Sequence, residues 1–200
     1  FVAEHRQPAR QRRARRRHAV ASTLTGVAGL AQAGVDGFHP APAGQLLMAE
    51  AFLKALGFDG EIGVITLNMK GASNASTGHE ITGNGGNVEL TSTKWPFCFD
   101  ADLTSAGSNR SILPFTTFNQ DLNRLMLHVI GLGSEKAKVT WGGQSKEFTR
   151  NQLEDGINLA AEFTKTPFDA PFANLMGAIG TKQSFETTLI KNLVTHMRVV

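Results

Sequence analysis

The stretch Val35-Asp36-Gly37-Phe38-His39-Pro40-Ala41-Pro42-Ala43-Gly44, leading into Gln45-Leu46-Leu47-Met48-Ala49-Glu50-Ala51-Phe52-Leu53-Lys54-Ala55-Leu56-Gly57, is where the reading begins. A turn rich in Gly and Pro feeds straight into an apolar-periodic segment. Leu46, Leu47, Ala49, Phe52, Leu53 and Leu56 recur at helical intervals, and Gly57 supplies the stop, which predicts a helix over 43–56. Inside the turn, Asp36 and His39 stand three residues apart. A carboxylate at that spacing can accept the imidazole Nδ1–H, fix the tautomer, and leave Nε2 free to take a proton from a nucleophile. The same pattern also makes an ordinary turn before a helix. The residues alone favour the ordinary turn.

Beyond this helix the texture turns β. Ile62–Met69 is β-branched with partial alternation, and Lys70–Thr77 reads as loop. His79–Thr82 and Val88–Thr93 flank a Gly-Asn-Gly-Gly cluster and predict a hairpin; no helix follows that would turn the cluster into a phosphate cradle. Trp95–Phe99, Ile112–Phe118 and Leu125–Ile130 read as strands, and Lys138–Trp141 with Gln144–Phe148 as a second hairpin around Gly142-Gly143. Helical spacing returns at Thr149-x-x-Gln152, a capping box, with Gly156 as a weak point. Thr166–Phe172 reads as a turn, and Ala173–Ile179 and Phe185–Met197 as a closing helical pair around Gly180. The architecture expected is α+β: a short N-terminal helix, an antiparallel β-sandwich-like domain, and C-terminal helices covering one face.

Charge is distributed unevenly. The chain carries a net +3, yet residues 1–18 hold seven arginines against Glu4, a net of +6, so the remainder is mildly acidic at −3. The arm lacks the interleaved aromatics of a single-strand binder and the apolar face of an interfacial helix, so no nucleic-acid partner is expected. Its Arg/Ala/Pro/Gln-rich composition matches a GC-rich coding region read in a shifted frame, which favours a non-native or truncated origin for 1–33. No run of eighteen apolar residues predicts a membrane span. The single cysteine, Cys98, flanked by Phe97 and Phe99, excludes an internal disulfide and reads as a buried strand residue. His79, His128 and His196 lack partners at metal spacing, and Asp100 with Asp102 lacks the loop of a calcium site, so no metal is expected. Trp95 and Trp141 read as core or, less favoured, as a sugar-stacking platform.

Asp36-Gly37-Phe38-His39-Pro40, with Gly44 behind it, resembles the Asp-x-x-His-Pro block that closes the catalytic domain of the SGNH (GDSL-type) hydrolases. Ile112–Phe115, Asn119–Leu125 and Gly156–Ala160 also resemble the tail of bacterial members that extend past that domain. The resemblance implies that His39 is a general base and Asp36 its orienter, in a serine hydrolase needing no cofactor. It further implies acyl esters of carbohydrate or lipid as substrates, an extracytoplasmic location, and an α/β catalytic domain of which only a truncated remnant is represented. The family's Gly-Asp-Ser nucleophile and Gly-x-Asn-Asp blocks do not occur in the 200 residues. The expected organisation is therefore a basic arm at 1–33, the end of a catalytic domain at 34–58, and a β-rich accessory domain at 59–200. The competing reading is a non-catalytic β module that binds carbohydrate or a protein partner, with the helix at 43–56 as a relic.

Closely spaced like charges without an apolar face do not offset the entropy of ordering. Limited trypsin is therefore expected to remove residues 1–17 before any other segment. Cleavage after Lys138 at the same rate as after Arg10–Arg17 contradicts this.

Overall fold

The computed structural model describes residues 39–100 and 108–195. The basic arm, Asp36, Asp102 and His196 lie outside the described residues. The chain divides into two compact units, one drawn from residues up to Ile62 with Phe99–Arg124, the other from Gly63–Cys98 with Leu125 onward.

In the first unit, helix α1 spans Pro42–Ala55. Pro42 opens it, where the missing N–H has no partner to lose. Gly57, at φ +80°, closes it: the Gly57 amide bonds Lys54 O at 3.2 Å and the Phe58 amide bonds Leu53 O at 3.1 Å, a Schellman motif that only Gly adopts without strain. The helix and its stop are as expected, but the buried face differs. Ala43, Gly44, Leu46 and Glu50 are buried, whereas Phe52 and Leu56 are exposed. The inward face follows the i, i+3, i+7 line through Glu50, because an ion-pair network described below fastens that side.

Against α1 packs a 3-10 helix at Asn109–Phe115, followed by α2 at Phe118–Asp121. A strand was expected over Ile112–Phe118. Ser108 overrides the β-branched pattern by accepting the Arg110 amide at 3.1 Å, and Pro114 has no amide to offer a ladder. Phe99 meets Phe118 edge-on at 5.6 Å, and Arg110, itself buried, lies 5.6 Å over the Phe99 ring. Trp95–Phe99 takes part in no ladder among the described residues, and Cys98 is buried there outside any strand. Pro96 accounts for the missing ladder.

In the second unit the main sheet has the order β2-β1-β5-β8, with β1 at Glu61–Asn68, β2 at Asn74–Ala75, β5 at Arg124–Ile130 and β8 at Ile157–Asn158. β1–β2 and β5–β8 are antiparallel. The central pair is parallel, since the Arg124 amide bonds Gly60 O and the Met69 amide bonds Ile130 O. Ile65 and Leu67 alternate with outward residues on β1, as do Leu125, Leu127 and Val129 on β5, so one face is buried. Two hairpins complete the unit. β3 (His79–Asn84) pairs with β4 (Asn87–Ser92), and β6 (Lys136–Trp141) with β7 (Gln144–Thr149). The second turns through Gly142 and Gly143, both at positive φ, the geometry that matches strand twist in a two-residue hairpin.

The capping box forms as expected: Thr149 Oγ1 accepts the Gln152 amide at 3.3 Å and Gln152 Oε1 accepts the Thr149 amide at 2.9 Å. Helix α3 (Arg150–Asp155) breaks at Gly156, giving β8 and then α4 (Leu159–Glu162). The closing pair of helices is instead one helix, α5, at Asp169–Thr188, continued by a π turn at Leu189–Val194. Pro171 falls in its first turn, where it breaks no bond, and Gly180 is carried through. None of its residues is buried, so it does not cover a face. The α+β class stands, with small sheets and several helices. Among the described residues no helix is long and apolar enough to cross a membrane.

A methyl added at Gly63 would stand 2.1 Å from His79 Nε2, and His79 is itself buried with Nδ1 2.8 Å from Ser92 Oγ. Gly63→Ala is expected to cost about 1–3 kcal/mol in urea melts through overpacking. In a double-mutant cycle with His79→Ala the two costs should fall short of additive by at least about 0.5 kcal/mol.

Candidate functional site

His39 is exposed, in a bend just ahead of α1. Gln45 Nε2 donates to Pro40 O at 3.2 Å and the Gln45 amide to Ala41 O at 2.9 Å, which ties the turn to the helix it precedes. Asp36 lies outside the described residues, so the Asp36–His39 pair is not described. Of the other candidates, His79 and His128 sit in strands; His128 Nδ1 is 3.1 Å from Glu154 O. Among the described residues no cluster of His, Cys, Asp and Glu can hold a metal ion. Asp100 makes a reciprocal bond with Asn109, each side chain taking the other's amide at 2.9 Å. Trp95 and Trp141 both lie 6.0 Å from the Phe168 ring, the first tilted and the second edge-on, and Trp141 also meets Phe163 edge-on. With Phe163 and Phe168 they form an aromatic cluster in which Trp95 stays exposed.

The sequence reading missed a charged network behind the His39 turn. Lys54 Nζ lies 2.6 Å from both Glu50 Oε1 and Asp121 Oδ2, and donates to Thr117 Oγ1 at 3.1 Å. Thr117 in turn donates to Asp121 Oδ2 at 2.5 Å. The loop carbonyls of Gln120 and Asp121 are taken by the Arg124 guanidinium. The i, i+4 spacing of Glu50 and Lys54 was the legible signal. The hydrogen bond from Lys54, then that from Thr117, holds the Asp121 carboxyl below its ordinary range. For Lys54, partial burial pulls downward, but bonds to Asp121 and Glu50 outweigh it and raise the ammonium.

The second unit holds an apolar cavity of about 700 Å³. Ile65 and Leu67 of β1, Met69 just past its end, and Leu127 and Val129 of β5 form its floor. Ile81, Val88 and Leu90 of the first hairpin and Ala137, Val139 and Trp141 of the second form its walls. No motif marked it, because its residues come from five strands, each with unremarkable alternation.

No protein-family model matches the chain, and no curated protein matches it. Among solved structures it is similar to BT4096, described as a gut microbial diltiazem-metabolizing enzyme, at 26% identity and a TM-score of 0.59. The likeness covers 75% of this chain but only 36% of that one. The chain is similar to part of an enzyme. Membership of the SGNH family does not follow from that likeness.

A depressed carboxyl such as Asp121 stabilises the fold in full above its unfolded value near 4 and loses that contribution as pH falls through the lower folded value. The raised Lys54 contributes in full below about 10.5 and loses its part as pH rises through the folded value. With side chains 40% and 45% exposed, the Lys54–Asp121 pair alone is worth under about 1 kcal/mol. Lys54→Met also strips the buried Glu50 of its ammonium partner, so a total loss of about 1–3 kcal/mol is expected near neutral pH. Urea melts between pH 3 and 7 should show a shallower acid dependence in Lys54→Met than in the parent chain.

Proposed function

We propose that the chain is the C-terminal portion of an SGNH-type ester hydrolase, in which His39 is the general base and Asp36 orients it. What carries this reading is the place of His39: exposed at the head of a helix whose first turn is buried at Ala43 and Gly44 and whose far end is fastened by Lys54. A base so placed is reachable from solvent, ahead of a helix fastened at its far end. The likeness to part of a diltiazem-metabolizing enzyme favours a hydrolase in the same direction.

On this reading Nε2 of His39 takes the proton of a serine hydroxyl as it attacks an acyl carbon, and then returns it to the departing alcohol. The serine and oxyanion donors come from polypeptide other than these 200 residues, which contain no Gly-Asp-Ser. Residues 34–58 are then the end of the catalytic domain and 59–200 its extension. That boundary is one of origin and not of packing, because α1 rests on the segment Asn109–Phe115. The substrates are acyl esters of carbohydrate or lipid.

Nucleophile, base and oxyanion donors act as a unit, and loss of one costs on the order of 10⁶ in turnover in related triads. The chain alone is expected to hydrolyse neither 4-nitrophenyl acetate nor diltiazem above the rate of its His39→Ala variant. Joined to a segment that supplies Gly-Asp-Ser, it should hydrolyse such esters, His39→Ala should abolish turnover, and Asp36→Asn should cost less. A His39-dependent rate from the isolated 200 residues would place the nucleophile among their own serines and overturn the reading.

A further inference from the structure

We infer that the cavity of the second unit is a binding site for the hydrocarbon chain of a single-chain amphiphile, a fatty acid or fatty alcohol. Its volume, about 700 Å³, falls inside the range of about 300–1,000 Å³ typical of small-ligand sites. The floor is well packed: Leu153 and Leu127, which line the cavity, are 0% and 5% exposed. The walls are not. Ile81, Val88, Leu90, Val139 and Trp141 are only half-buried, although all line the cavity. The wall residues keep accessible apolar surface along a partly open cleft, and a flexible methylene chain covers such surface without a matching shape.

The chemistry of the lining selects against a sugar. The charged side chains that border the cavity, Glu89 and Lys138, are both exposed and stand at its rim. A hydroxyl buried among the floor residues without a partner costs about 1–3 kcal/mol, and a sugar carries several. The rim suits one polar head. Four consecutive residues of β4, Asn87–Leu90, with Gly86 of the turn before it, and five of β6, Ala137–Trp141, border the cavity, so the strand edges face it as well as alternate side chains. Among the described residues β4 pairs with β3 alone and β6 with β7 alone, which leaves edge backbone groups to bond a carboxyl or hydroxyl head. This inference concerns the β unit and does not rest on the ester-hydrolase reading.

The test uses the full chain carrying Trp95→Phe, so that emission reports Trp141 at the cavity wall. Dodecanoic acid and dodecanol, each below its aggregation concentration, are expected to shift that emission saturably with one molecule bound, while glucose leaves it unchanged. Ala137→Phe fills the cavity and should weaken binding at least about tenfold while raising the melting temperature. If that variant does not fold, 12-bromododecanoic acid decides the matter in the chain without it, where quenching of Trp141 supports the site. The surface alternative is the exposed face of α5, controlled by Phe185→Ser/Leu189→Ser, which should leave binding intact. Absence of saturable binding, binding that survives Ala137→Phe in a folded variant, lack of quenching by the brominated acid, or loss through the α5 substitutions overturns the inference.

Discussion

The Arg124 amide bonds the carbonyl of Gly60, and the Met69 amide bonds that of Ile130; between these bonds β1 and β5 run side by side in the same direction. Parallel neighbours cannot be joined by a tight turn. The connection here is everything from residue 69 to 123, which holds the first hairpin and the segment that joins α1 in the first unit. Closing so long a loop adds little to the thermodynamic cost, because loop entropy grows only with the logarithm of length. It adds more to the folding time, since local contacts cannot substitute for the central pair. The two Gly-turned hairpins, by contrast, pair residues close in sequence.

The hairpin turns and the helix caps were legible in the sequence because each is decided within a few residues. Gly142-Gly143 admits the twist of its strands, Thr149 and Gln152 satisfy each other's amides, and Gly57 ends α1 whatever lies around it. The misread segments were those where a distant partner decides. Ile112–Phe118 has strand composition, yet Ser108 and Pro114 tip it to a 3-10 helix that rests on α1. Phe52 and Leu56 belong to the apolar stripe of α1 but lie exposed, because Glu50 and Lys54 select the inward side through Thr117 and Asp121.

The same division holds for the candidate site. His39 could be singled out because its chemistry sits in one short block with Asp36. The ion-pair network and the apolar cavity could not, since each is assembled from residues that are ordinary where they stand. An isolated Glu50–Lys54 pair is a common feature of a solvated helix face. It becomes a fastening only when Asp121, 67 residues further on, arrives as the second carboxylate at 2.6 Å.

Helix α5 stands on different terms from the sheet. Phe172, in its first turn, meets Phe97 edge-on at 5.2 Å, and beyond that turn every residue through Val194 is exposed. Gly177 and Gly180 each weaken a helix by about 1 kcal/mol relative to Ala, while the Lys182–Glu186 pair returns only a few tenths. Its order therefore rests almost wholly on propagation from one end. Opening from the C-terminal side uncovers no buried residue among those described, so its amides should exchange with solvent deuterium far faster than those of β5, which wait for global unfolding.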